Sequence, residues 1–218
     1  MNAVVNLSLQ AYVEQEILPQ YAQFDKAHQR DHAETVINQS LKLAAYYDGI
    51  DLNMVYAIAA YHDIGLSAGR ATHHLVSAEK IRADKQLRTW FTEQQINVMA
   101  DAAEDHRASS DHAPRTLYGR ILAEADRLID AETILRRTIQ YGLAHYPELT
   151  RKEHLQRAMD HLQEKYAEGG YLKLWIPESP NAVRLHQLQQ LIKDEPRLQL
   201  LLEKIFDEEY KTSSLILK

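Results

Sequence analysis

The chain contains no cysteine, which excludes a disulfide framework, a thiolate metal site and a cysteine nucleophile. Glycine (7) and proline (6) are scarce among 218 residues, so helices are expected to dominate over turn-rich sheet. Long apolar runs are missing as well. The longest, "MVYAIAAY", is far too short to cross a bilayer. The start, "MNAVVNLSLQ", lacks the basic beginning and apolar stretch of a secretory signal, so a cytoplasmic location without a membrane partner is the expectation. A net charge of -6 argues against binding a nucleic-acid polymer, whose phosphates are held through basic patches. It leaves room for a small phosphorylated ligand, which needs only a few cations inside a pocket.

What is present reads almost everywhere with helical period. A first helix is expected over Leu7 to Phe24, bent near Pro19. A second spans about Gln29 to Asp48, with Val36, Ile37, Leu41 and Ala44 inward and Gly49 as its stop. Asp51 is placed to cap a third, which carries Val55, Ile58 and Ala59 inward and ends at "HD". A fourth begins near Thr72 and fades around Asp84, and Thr92 with Gln95 makes a capping box for a fifth. Pro114 sits where a helix begins, and the pattern from Leu117 to Gln140 reads as one continuous helix. Thr150 and Glu153 form a second capping box, for a helix ending at Gly169-Gly170. Only "YLKLWIP" reads as extended, before two further helices over Asn181 to Tyr210.

Histidine is plentiful, with eleven residues, and the chemistry lies in where they fall on these faces. His32 stands four residues before Val36, His62 follows Ile58 and Ala59 by four and three, and His106 follows Ala103 by three. Asp126 follows Leu122 by four. Ionisable residues on four separate helices therefore point where apolar ones belong. Burying a neutral polar group without a partner costs roughly 2–7 kcal/mol, and a charge far more, so these groups are expected to meet one another or a metal. Imidazole and carboxylate without thiolate suit iron, manganese, zinc or a similar divalent ion.

The ordered set "RDHAETV" (His32), "AYHDIG" (His62, Asp63) and "LAEADRL" (Asp126) resembles the HD-domain superfamily of metal-dependent phosphohydrolases. The resemblance runs from roughly Asp25 to Arg137. It implies an all-α fold: an HD-domain-like helical bundle with additional C-terminal helices. The chain would form one domain over residues 1–218, with a core at about 25–140 and an extension at about 141–218. The resemblance also implies that His32, His62, Asp63 and Asp126 hold a divalent ion (Fe, Mn, Zn, Ni or Mg). Binuclear members add histidines, which His73 matches through Ser77 and Ala78 and His106 through "AAEDHRAS". Asp63 would then bridge two ions, with His74 as an outer or alternative ligand. The lysine that follows "HDIG" in some subfamilies is replaced by Leu66, and a GYP motif is absent. Both departures argue against a cyclic-dinucleotide phosphodiesterase and the inositol-oxygenase branch.

The implied activity is hydrolysis of a phosphomonoester or phosphodiester, a nucleotide among them, by metal-activated water. Asp63 would act in catalysis, with Arg70 and Arg107 binding phosphate in forked geometry. Asp105 is expected as an orienting or ligating group, and His28, one turn before His32, as a contact to substrate or water. The competing reading is a non-catalytic, metal-stabilised module of the same type that binds a nucleotide or a protein. The C-terminal helices and their Trp175-bearing segment offer a further surface, either a lid or a homodimer interface.

Overall fold

The computed structural model describes residues 4–25 and 28–216, and among them there is no strand. The helices in order are α1 (Leu7–Tyr12), α2 (Arg30–Ala44), α3 (Leu52–Tyr61), α4 (His73–Ala83), α5 (Glu93–Glu104), α6 (Leu117–Asp126), α7 (Ala131–His145), α8 (Arg151–Tyr166), α9 (Asn181–Lys193) and α10 (Glu195–Ile216). The all-α expectation holds.

Local chemistry explains most of the boundaries. Asn6 caps α1 by accepting from the amides of Ser8 and Leu9. The helix expected over Leu7 to Phe24 changes pitch on the way: a π-helical turn at Val13–Ile17 passes into a 3-10 turn at Leu18–Gln23, with Pro19 in its first positions. Asp51 caps α3 through the Asn53 amide, and both predicted capping boxes, Thr92–Gln95 and Thr150–Glu153, are formed. Gly49, at φ 75°, takes the left-handed conformation that lets the chain turn away after α2.

Two expectations need correction. Thr116, not Pro114, starts α6, because its side chain accepts from the Gly119 amide. The continuous helix expected from Leu117 to Gln140 is broken after Asp126. Asp130 turns its carboxylate to the Thr133 amide at 2.9 Å and so begins α7 afresh. The apolar stripe runs on through Ile129, but capping chemistry decides the backbone.

The chain divides into two compact units. The first comprises the described residues up to Arg127 together with Leu174–Ser179; the second comprises Leu128–Lys173 and the residues from Pro180 onward. In the first, α3 is buried along its length from Met54 to Tyr61 and packs against α2, α5 and α6. The fourth helix lies against α5 and against the short 3-10 turn Ile64–Ala68 that follows the "HD" pair. The segment predicted as extended is irregular, and its part in this unit is pinned from below. The buried Glu124 carboxylate accepts from the amides of Trp175 (2.7 Å) and Ile176 (3.4 Å), and Ile176 joins the core. In the second unit α7 packs on α8 and α10. The Arg157 guanidinium there lies over the rings of Tyr141 and Tyr146.

Candidate metal centre

All six residues expected as ligands belong to the first unit, and the fold brings their tips together. The carboxylate of Asp63 stands at the middle. Its Oδ2 lies 3.2 Å from His62 Nε2 and 3.6 Å from His32 Nε2, while its Oδ1 lies 3.4 Å from His73 Nε2 and 3.6 Å from His106 Nε2. Asp126 Oδ1 closes the first group, 3.3 Å from His32 Nε2 and 3.9 Å from His62 Nε2. Within each group the imidazoles face each other, at 3.3 Å for His32 and His62 and 3.2 Å for His73 and His106. The trios His32–His62–Asp63 and Asp63–His73–His106 are each compact enough to hold an ion.

The tautomers make this more than proximity. His62 Nδ1–H donates to Ala59 O at 2.7 Å, His73 Nδ1–H to Arg70 O at 2.8 Å, and His106 Nδ1–H to Ala103 O at 2.6 Å. A carbonyl can only accept, so each neutral ring must carry its lone pair on Nε2. With both rings neutral, the second trio turns two lone pairs and a carboxylate oxygen toward one another, and in the bare site Asp63 holds a proton on His106 against its burial. Such a set calls for a cation. Nitrogen and oxygen ligands bound at about 2.0–2.2 Å stand about 3.0–3.4 Å apart when adjacent, and the separations here run from 3.2 to 3.9 Å. The donor chemistry and the spacing both fit a divalent metal.

Electrostatics divide the bare residues, some held charged and others neutral. Burial raises Asp63, but the neighbouring imidazoles outweigh it and hold the carboxyl well below its ordinary range. Burial pulls His32 down, yet Asp126 and Asp63 push it up to about 10. His73 goes the other way, to about 4, through burial and the nearby His106, so it stays a neutral ligand at pH 7.

The loop between the trios is set by close packing. The Gly65 amide donates to Ser77 Oγ at 3.0 Å, and a Cβ on Gly65 would lie 2.0 Å from the His73 carbonyl oxygen. Lys80 Nζ donates to Ile64 O at 2.9 Å. The "HDIG" turn and the first turn of α4 therefore interlock backbone to backbone, and that contact places His73.

The other candidates take outer positions. Arg70 is half exposed, donating to Asp25 Oδ2 at 3.2 Å beside His28 Nδ1. His28 in turn sets its ring edge-on to His32, 5.7 Å between centroids. Arg107 donates to Ala71 O at 3.0 Å and so clasps the loop before His73. Neither guanidinium pairs with Asp63 or Asp126. His74 lies outside both trios, its ring 5.5 Å from that of His73. Asp105 is not a ligand: it is fully buried and engaged by Arg115 through the backbone amide, Nε and Nη2, at 2.7–3.0 Å. It orients the segment that follows His106. Sequence reasoning missed Tyr21, a buried phenol whose hydroxyl reaches the backbone of the His62–Asp63 pair.

The HD domain family model matches residues 30–130, a stretch that contains His32, His62, Asp63, His73, His106 and Asp126. Among solved structures the chain is similar to one described as a predicted HD superfamily hydrolase, from an uncultured Thermotogales bacterium. The identity is 22%, with a TM-score of 0.48, covering 73% of this chain and 87% of that one. No curated protein matches. The stretch that carries the candidate site, residues 30–130, thus matches the HD domain family.

Proposed function

We propose that this chain is a metal-dependent phosphohydrolase acting on a small phosphomonoester or phosphodiester, with nucleotides among the substrates to be tried. The observation that carries the reading is the division of the Asp63 carboxylate, one oxygen toward His32 and His62, the other toward His73 and His106. One carboxylate shared between two sets of nitrogen donors supports a site for two ions. When bound, divalent ions lower the pKa of water toward about 7 and polarise phosphoryl oxygen.

The residues of the chain have separate tasks in this reading. His32, His62, His73, His106, Asp63 and Asp126 hold the metal. His73 is kept neutral and ready to ligate by its burial. Arg70, half exposed beside His28, offers a fork of donors to a phosphate. Arg107 gives one arm to Ala71 O, and its charge is felt by His74.

The test is metal analysis of the purified protein, followed by a panel of phosphomonoesters and phosphodiesters with Mn²⁺ or Fe²⁺ supplied. Asp63→Ala is expected to abolish hydrolysis while the helical circular dichroism signal survives. Undiminished turnover in that variant would place the chemistry elsewhere. Retained metal without activity across the panel would favour a non-catalytic module that binds a nucleotide or a protein.

A further inference from the structure

Successive residues of an α-helix point about 100° apart. His62 and Asp63 nevertheless deliver their tips to one place, Nε2 and Oδ2 standing 3.2 Å apart. The chain manages this by ending α3 between them. His62 keeps helical angles (φ -54°, ψ -37°), whereas Asp63 has left the helix (φ -112°, ψ 3°).

A helix that ends inside the core leaves backbone groups that must find other partners. Ala59 O takes the Nδ1–H of His62 itself. The Tyr21 hydroxyl serves two more groups: it donates to Ala60 O at 2.9 Å and accepts from the Asp63 amide at 3.3 Å. The phenol is wholly buried, on the 3-10 turn Leu18–Gln23, with its ring 6.4 Å from that of His62.

We infer that Tyr21 is a positioning residue for the metal centre, its hydroxyl holding open the break in α3 that turns His62 and Asp63 toward one cation. This rests on the metal reading above. If Tyr21 served only to fill the core, the loss of its hydroxyl would lower stability and leave metal affinity alone.

The experiment compares the wild type with Tyr21→Phe and Tyr12→Phe by Mn²⁺ titration and by thermal unfolding of the metal-free protein. Tyr12→Phe is the control, since it removes a phenol hydrogen bond, to Asp84 (2.6 Å), that touches none of the six candidate ligands. Tyr21→Phe should bind Mn²⁺ roughly 10- to 100-fold more weakly, the usual effect of losing a group that orients a ligand, while Tyr12→Phe keeps wild-type affinity. Unchanged affinity in Tyr21→Phe overturns the inference while the metal reading stands, and so does an equal loss in Tyr12→Phe. A wild type that takes up no Mn²⁺ defeats the metal reading and this inference with it. Should Tyr21→Phe fail to fold, amide exchange in the wild type decides. Strong protection of the Asp63 amide supports the hydroxyl's hold, and exchange at the rate of an open loop refutes it.

Discussion

Replacing Gly65 by alanine is the sharpest perturbation the geometry offers. The added methyl would lie 2.0 Å from the His73 carbonyl oxygen and 2.6 Å from the Ser77 amide nitrogen. The first is about 1.4 Å inside ordinary contact, and both atoms are backbone, so no side chain can swing aside. Either the "HDIG" turn or the start of α4 must move. Overpacking of this kind costs about 1–3 kcal/mol. At about 2–4 °C per kcal/mol for a chain of this size, Tm should fall by about 2–12 °C. The movement would carry His73 away from Asp63 Oδ1 and His106 Nε2, now 3.4 and 3.2 Å distant. Metal sites tolerate only about 0.2 Å of error in ligand distance, so the His73–His106 side should empty. The other side draws on α2, α3 and α6 and contains no residue of α4, so it should fill as before. On the two-ion reading proposed above, metal analysis should therefore show the bound equivalents falling from two to one, with the proposed hydrolysis reduced about 100-fold by the misplaced group. A Gly65→Ala protein with two equivalents and an unchanged Tm would refute the interlock. Loss of both ions together would refute the independence of the two sides.

Three further outcomes follow from the electrostatics and from Arg115. His32 is held up to about 10 by Asp126 and Asp63, so in the metal-free protein it is an imidazolium at pH 7 and must shed its proton to ligate. Mn²⁺ binding should release protons, and calorimetric heats should change between buffers of different ionisation enthalpy; buffer-independent heats would contradict this. His154, in the second unit, is held below its ordinary pKa by burial and by the Arg157 charge. Its contribution to stability is present above the unfolded value of about 6.5 and lost as pH falls through the lower folded one, so Tm should drop below pH 6.5. His154→Asn should flatten that drop, and an unaltered slope would clear His154 of it. Arg115→Ala leaves the buried Asp105 carboxylate without its guanidinium partner, a loss of about 1–3 kcal/mol by urea unfolding. Because His106 follows at once, Mn²⁺ affinity should fall too; full retention of both would show that Asp105 finds other partners.

Much of this was legible in the sequence because its causes are local. Capping boxes at Thr92 and Thr150 act within four residues, and the structure forms both. The inward placement of His32, His62, His106 and Asp126 followed from helical period alone, and these residues do converge. The break between α6 and α7 was harder, since Leu122, Ala125 and Ile129 continue one stripe across it. Only the capping competence of Asp130 marked it. The small-residue pattern after His73 was visible as a pattern, but its cause, the backbone contact with Gly65, is tertiary. Tyr21 left no signal. Nothing in a phenol at the end of "ILPQY" says that its hydroxyl will meet a helix end about forty positions later.

The four imidazoles also differ in what orients them, and the difference follows from where each sits on its helix. His62, His73 and His106 each send Nδ1–H to the carbonyl three residues back, and each stands at a helix end where that carbonyl is open. Their tautomers are set by their own short stretches of chain. His32 lies in the first turn of α2, where the corresponding carbonyl, that of Gln29, already accepts from the amides of His32 and Ala33. Its Nδ1 is buried without a protein partner, and its ring is held from the other side by Asp126 and Asp63. The orientation of His32 therefore depends on α6 packing against α2, while the tautomers of the other three rings are set within their own short stretches of chain. Asp126→Asn should accordingly change the imidazole nitrogen shifts of His32 in metal-free NMR spectra and leave those of His73 and His106 near their original values. Equal disturbance of all the rings would mean that the carbonyls do not set the tautomers.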